Sequence, residues 1–287
     1  MVQLVDSDIK TREVLAWKGV HVLHFMGSSC SQKLRVFLNL KGIKWESHLV
    51  DLRANDNFRP WFLGINPRGL VPVLVHDGAV HIESNDIIQH LEAAFPAPKL
   101  IPAGHENEVA ALLKHEDDLH LDLRTLSFRF VFAPPGPPKP AEALKSYAAN
   151  GSGTVQGRPD REKAVQIEFW DRTTREGFTD QAAHASAQKF RAEFDALDNR
   201  LVAQPYLMGD ALSVLDVAWF IYANRLALGG YPFARLHPNV RAWFDRLAAR
   251  PEFAKEVSSP PEVMAHIAAT RRAHAEAGKS LEAVAGF

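Results

Sequence analysis

The chain has 287 residues, which is long for one compact core and comfortable for two domains. Hydrophobic residues make up 46% and charged residues 23%, and 33 basic side chains balance 34 acidic ones, so no polybasic surface and no nucleic-acid partner are expected. Cys30 is the single cysteine, which excludes an intramolecular disulfide and a cysteine-based zinc site. No stretch has the apolar core of a secretory signal or the roughly 18 apolar residues of a membrane span. We therefore expect a cytoplasmic protein with no membrane partner.

The first predicted elements form a strand, a helix and a second strand. Val20–Met26 is apolar and rich in β-branched residues, and a turn at Gly27-Ser28-Ser29 ends it. The apolar spacing from Ser31 to Lys41 predicts a helix, with Gly42 as its C-cap. The strand Trp45–Val50 should lie parallel to the first strand because a helix connects the two.

A hairpin and a further helix complete the first domain. The dipeptide Asp77-Gly78 between the apolar runs Val71–His76 and Ala79–Ile82 is a strong hairpin signal. A short helix is predicted before it, over Asn57–Gly64, and Ser84 is placed to cap a helix after it. The resulting order βαβαββα is that of an α/β thioredoxin-like domain, which we place at residues 18–96.

The remainder of the chain is predicted to form an all-α C-terminal domain at residues 105–258, followed by a helical tail at 259–287. A Pro-rich segment and its polar continuation, residues 133–160, read as a loop insertion. Helices are predicted over 161–176 and 181–202. Another helix should begin at Ser213, because Ser213 and Asp216 have the spacing of a capping box.

Four motifs, in order along about two hundred residues, resemble those of the glutathione S-transferase superfamily, and of its zeta class most. They are the run Ser28-Ser29-Cys30 at the start of a helix, Val71-Pro72, Glu83-Ser84, and the capping box Ser213-x-x-Asp216. The resemblance implies a thioredoxin-like domain that binds glutathione and a helical domain that holds the second substrate. It also implies a homodimer. No metal cofactor is expected, because the single cysteine and the histidine spacing provide no ligand motif.

The family's chemistry requires a thiolate, and a free thiol has a pKa of about 8.5. The resemblance places Ser28 at the catalytic position, where its hydroxyl and the positive end of a helix would both stabilise the thiolate. Ser29 is the neighbour that could substitute. The alternative for both serines is a simple role as helix caps.

Cys30 has a second interpretation, because some classes of the superfamily use a cysteine at this helix start for thiol exchange. In the family register Cys30 lies two residues beyond the catalytic position, which favours a small packed side chain instead.

The other motifs are implied to bind glutathione. A cis peptide bond at Val71-Pro72 would expose the Val71 main chain for strand-like pairing with the ligand, unless Pro72 is an ordinary edge-strand proline. Glu83 would receive the α-ammonium group of the ligand and Ser84 its carboxylate, unless Ser84 only caps a helix.

The histidines of His115–Asp122 match no compact metal motif, so we interpret that segment as a solvated helix face. Several aromatic and arginine side chains are either the lining of a pocket for an aromatic or acidic substrate or ordinary core: Phe128, Phe130, Phe132, Trp170, Arg124, Arg129 and Arg172.

The predicted activity is attack of glutathione thiolate on an electrophilic, aromatic substrate. The insertion and the tail are similar to those of bacterial serine-type β-etherases, which displace an aryloxide from lignin-derived aryl ethers. The alternatives are a glutathione-dependent isomerase of the maleylacetoacetate type and a non-catalytic glutathione-binding member.

Overall fold

The computed structural model describes residues 2–134, 136 and 138–287. Its contacts divide the chain into two units. One comprises Met1–Pro98 and Gly136–Gly177, and the other comprises Lys99–Pro135 and Phe178–Phe287. The segment 136–177, which lies within the range predicted for the helical domain, thus packs with the first unit.

The first unit is built on a mixed sheet, with helices along the connections. Among the described residues the sheet has five strands in the order β1-β5-β4-β2-β3, in which β2 and β3 are parallel and the other neighbours antiparallel. The elements are β1 Val2–Gln3, β2 Val20–His24, α1 Ser29–Lys41, β3 Glu46–Leu49, α2 Pro60–Leu63, β4 Val73–His76, β5 Ala79–Ile82 and α3 Ser84–Ala94.

Local sequence signals explain the ends of these elements. Gly42 caps α1 with a φ of 63°, a left-handed conformation that glycine adopts without steric cost. Asp77 and Gly78 have φ values of 50° and 84°, as the turn between β4 and β5 requires. The parallel pairing of β2 with β3 is confirmed. The edge strand β1 was not predicted, and it pairs with β5 ahead of the predicted start of the domain.

The core of this unit lies on the sheet. Buried aliphatic side chains of the central strands form it, together with residues from the connections: Leu23, Val73, Val75, Val80, Ile82, Phe62 and Ile65. Burial of such side chains is the main favourable term in folding. It also fixes the ends of β2 and β4, from which the loops of the candidate site emerge.

The segment predicted as a loop insertion contains regular structure. It forms α6 Ala141–Ala149 and a two-stranded ribbon of β6 Thr154–Val155 and β7 Arg158–Pro159, and α7 Glu162–Glu176 follows. The Tyr147 ring stacks on Phe58 with 4.1 Å between ring centroids, and its hydroxyl donates to the Arg68 carbonyl. These contacts with residues of the first unit order the segment.

The second unit is helical. Its elements are α4 Glu106–Asp118, α5 His120–Ser127, a π-helical turn Phe128–Phe132, α8 Asp180–Leu201, α9 Val214–Gly229, α10 Phe233–Leu236, α11 Pro238–Ala248, α12 Pro251–Val257, α13 Pro261–Glu276 and α14 Leu281–Ala285. The capping box at Ser213 is confirmed. None of the helices in the described part of the chain combines the length and apolarity that a bilayer span needs.

Candidate active site

Ser28 is the N-cap of α1, which begins at Ser29, two residues before the predicted helix start at Ser31. Its Oγ accepts a hydrogen bond from the Ser31 amide at 3.3 Å, and its own amide donates to the Phe25 carbonyl at 3.2 Å. A hydroxyl that accepts at its oxygen still carries its proton. The half-buried Ser28 can therefore donate to an anion at the positive end of α1.

Ser29 and Cys30 are the first two residues of α1, and both are half-buried. Their main-chain amides belong to the first turn, where helix amides have no partner within the helix. These amides would add to the same positive potential that Ser28 faces. Ser28, Ser29 and Cys30 thus share one helix start, but Ser28 alone is the capping residue.

Arg35 holds the loop before Ser28 in place, which the sequence analysis missed. The side chain is 2% exposed, and it donates to the carbonyls of Phe25 at 3.3 Å and Met26 at 3.0 Å. A further hydrogen bond of 3.1 Å joins its Nη1 to His24 Nδ1. The fixed fork of donors on a guanidinium thus links three consecutive residues, His24, Phe25 and Met26. The sequence signal was an arginine inside the apolar run of α1.

The Val71–Pro72 peptide bond is cis, as the resemblance implied. No hydrogen bond among the described residues takes up the main-chain N–H or C=O of Val71. The loop ahead of it is anchored by Asn57, whose amide donates to the Gly69 carbonyl at 2.7 Å, and by Asn66, which donates to the Leu70 carbonyl at 2.8 Å. The Val71 main chain therefore retains a donor and an acceptor for a peptide-like ligand.

Glu83 and Ser84 lie together at the start of α3. Glu83 is the N-cap and has a φ of 66°, which is rare for a residue other than glycine and is often found at functional sites. Ser84 is 6% exposed and is the first residue of the helix. Both side chains are thus placed at the positive end of a helix, where an anionic ligand group is favoured.

Arg68 connects Glu83 to the insertion. Its Nη1 donates to Glu83 at 2.6 Å, and its Nε and Nη2 donate to the two oxygens of Asp160 at 3.0 and 2.7 Å. Burial alone would lower the pKa of Arg68, but the hydrogen bonds and charges of Asp160 and Glu83 raise it above its ordinary value. One cation between two carboxylates leaves a net negative charge. The sequence carried no signal for Asp160.

The other aromatic and basic candidates are divided between the two units. Phe130 and Trp170 are buried, at 2% and 7% exposure, and Trp170 and Arg172 lie on α7 in the first unit. Phe128 stacks on Phe178 in the second unit. The expectation that Phe130 and Trp170 belong to the core agrees with their burial.

The two histidines of the segment His115–Asp122 contact different helices. His115 Nε2 is 2.9 Å from Glu193, whereas His120 Nδ1 is 3.3 Å from the Tyr222 hydroxyl. His115 thus contacts α8, whereas His120 contacts α9.

Comparison with known families agrees with this architecture. The model for the glutathione S-transferase N-terminal domain matches residues 27–94, and the model for its C-terminal domain matches residues 180–246. Protein LigF of Sphingobium sp. is 29% identical over 221 residues, which are 74% of this chain and 82% of that protein. The crystal structure of the β-etherase LigF covers 83% of this chain and 98% of its own, with a TM-score of 0.69 at 27% identity.

Other relatives match over most of their length or over a shorter segment. The tetrachloro-p-hydroquinone reductive dehalogenase of Sphingobium chlorophenolicum is 26% identical over 82% of this chain and 94% of its own length. Glutathione S-transferase 1 of Dianthus caryophyllus is 45% identical and maleylpyruvate isomerase of Ralstonia sp 40% identical, but this chain spans only 35% and 38% of those two proteins. With both domain models in order, the chain belongs to the glutathione S-transferase family.

Proposed function

We propose that this protein activates the thiol of glutathione at Ser28 for attack on an aromatic electrophile. The observation that carries the proposal is the Ser28 hydroxyl, whose oxygen already caps α1 while its proton remains available. A hydrogen bond to sulfur together with the half positive charge of the helix start favours the thiolate over the thiol. Ser29 is the second candidate donor.

The remaining residues of the candidate site would hold glutathione by its peptide groups and its charged end. Val71, presented by the cis bond to Pro72, would pair with the cysteinyl main chain of the ligand. Glu83 would bind the α-ammonium group of the ligand. The net negative charge of Glu83, Arg68 and Asp160 together would favour this binding. Ser84 and the start of α3 would receive the α-carboxylate.

The favoured reaction is cleavage of an aryl ether. LigF, named as a β-etherase, matches over most of its length, and the dehalogenase relative is also named for an aromatic substrate. The thiolate sulfur forms a bond to the carbon that bears the ether oxygen, the C–O bond breaks, and the aryloxide leaves with the electron pair. The aryloxide then takes a proton from water, and a glutathione thioether remains.

Isomerisation is the weaker candidate, because the isomerase relative matches over only 80 residues. A non-catalytic glutathione-binding role is weaker still, since the Ser28 hydroxyl lies at the positive end of α1, where it would favour the thiolate. A cytoplasmic homodimer is the further expectation from the family.

The test is a pH titration of bound glutathione, followed by the ultraviolet absorbance of the thiolate, in wild type, Ser28→Ala and Ser29→Ala. We expect a lowered thiol pKa in wild type and in Ser29→Ala. In Ser28→Ala the thiol pKa should be about one to two units higher, and each unit corresponds to about 1.4 kcal/mol of lost thiolate stabilisation. The activity of Ser28→Ala should fall roughly 10- to 100-fold.

A panel of substrates then distinguishes the reactions. A β-aryl ether with a chromogenic phenol should release the phenol only when glutathione is present, whereas an isomerase would convert a maleyl compound without a leaving group. An unchanged thiol pKa in Ser28→Ala would overturn the role of Ser28. Tight glutathione binding with no thiolate signal at any pH would indicate a binding protein.

A further inference from the structure

Three potential metal ligands meet at the edge of the sheet in the first unit. They are His21 on β2 and Glu46 and His48 on the neighbouring edge strand β3, where His21 lies directly opposite Glu46 in the parallel register. His21 Nδ1 is 3.1 Å from His48 Nε2 and 3.4 Å from Glu46 Oε2. The three ligand atoms all lie within 4.8 Å of one another.

The two imidazoles are oriented by neighbouring groups. His21 is 6% exposed, and its Nε2 is 2.8 Å from the Lys18 carbonyl, so Nε2 carries the proton and Nδ1 presents its lone pair to the cluster. A metal-ligating histidine typically donates its other N–H to a carbonyl in this way. The His48 ring stacks on Trp17, with 4.3 Å between ring centroids and 13° between planes. Both rings are therefore held in place before any ion binds.

We propose that His21, His48 and Glu46 bind a divalent transition-metal ion of the zinc type. Zinc bonds to histidine nitrogen and carboxylate oxygen are about 2.0 to 2.2 Å long, and ligand atoms on a tetrahedron of that size are about 3.3 to 3.6 Å apart. The separations of 3.1 and 3.4 Å from His21 Nδ1 are close to this spacing. When the ion binds, His48 carries its proton on Nδ1 in place of Nε2. Water completes the coordination.

The ion would be structural. His21 and Glu46 lie near the amino ends of β2 and β3, whereas Ser28 follows the carboxyl end of β2. The ion would thus join the two strands at the end away from Ser28. It would stabilise the edge strand and leave the activation of glutathione unchanged. The proposal therefore does not depend on the proposed function.

The test uses the full chain after removal of metals, in a buffer without glutathione. Zinc is titrated in competition with a chromogenic chelator, and cobalt is titrated while its visible absorption is followed. The variants are His48→Gln and Glu46→Gln, which replace ligands that are not fully buried. The matched control is His105→Gln, which removes another histidine close to a glutamate, 2.8 Å from Glu108 on α4.

Wild type and the control should bind one ion per chain. The visible absorption of bound cobalt should be that of a low-symmetry coordination geometry. His48→Gln and Glu46→Gln should lose at least about tenfold in affinity. Zinc should also raise the melting temperature of wild type and the control, but not that of His48→Gln. Equal affinities in all variants, or no high-affinity ion in wild type, would overturn the proposal.

Discussion

Arg68 Nη1 donates a hydrogen bond of 2.6 Å to Glu83 Oε1, so the carboxylate proposed to receive the ligand's ammonium group already has a cationic partner. Asp160 holds the same guanidinium from the other side with two hydrogen bonds. A ligand ammonium group would therefore interact with three charges whose sum is negative. The insertion thereby takes part in the electrostatics of the proposed glutathione site.

Asp160→Asn tests this arrangement. Removal of one negative charge leaves Arg68 and Glu83 as a neutral pair, which attracts an ammonium group less strongly. We expect the KM for glutathione to rise about fivefold, equivalent to about 1 kcal/mol, with kcat little changed. Steady-state kinetics with varied glutathione measures both constants. Glu142→Gln, an exposed acid on α6, is the control, and an equal effect in both variants would show that only long-range charge matters.

Arg35→Met tests the support of the catalytic loop. Methionine fills similar space but removes the side-chain donor of the Met26 carbonyl and one of the two donors of the Phe25 carbonyl, which costs about 1 to 3 kcal/mol of unfolding free energy. Ser28 then loses its fixed position, so the thiol pKa of bound glutathione should return toward its free value. Thiolate absorbance and urea unfolding measure the two effects. A destabilised variant with an unchanged thiol pKa would assign Arg35 to stability alone.

The buried side chain of His81 should make the free energy of unfolding depend on pH. Its ring stacks on His90 with 3.9 Å between ring centroids, and neither of its nitrogens has a hydrogen-bond partner. Burial, and then the nearby His90 and His76, lower the pKa of His81 from 6.5 to about 4. Between these two pH values the unfolded chain binds more protons than the folded one, so stability falls as the pH falls through this window. The full loss is roughly 3 kcal/mol.

His81→Phe should therefore flatten the dependence of the unfolding free energy on pH between about 4 and 6.5. Urea unfolding at a series of pH values measures it. His105→Gln, at an exposed site, should keep the slope of wild type. An equally steep slope in His81→Phe would contradict the assignment.

Substitution of Asp216 should cause a large loss of stability in the second unit. Its fully buried carboxylate accepts from the amide and hydroxyl of Ser213, the amide of Leu207 and the indole of Trp243, at 2.8 to 2.9 Å. Burial raises its pKa, while these hydrogen bonds oppose the rise. Asp216→Ala would leave four donors without an acceptor and should cost about 3 to 5 kcal/mol. Ser213→Ala should cost about 1 kcal/mol of unfolding free energy. Urea unfolding measures both variants, and similar losses in Asp216→Ala and Ser213→Ala would argue against this network.

The sequence by itself determined the order of elements from β2 to α3 and the family of the chain. Alternating and helical periodicity, the Asp77-Gly78 turn, the Gly42 cap and the Ser213 capping box are local signals, because each depends on residues a few positions apart. Their positions agree with the structure. The catalytic role of Ser28 stays a prediction.

Only the tertiary structure decided which distant residues meet. β1 has two residues and no periodicity, so its pairing with β5 could not be detected. Asp160 meets Arg68 across 92 positions, and His21 meets His48 across 27. Such contacts form because strands pair and helices pack after the chain has folded back on itself. They leave no spacing rule in the sequence, since the loops between the partners can have any length.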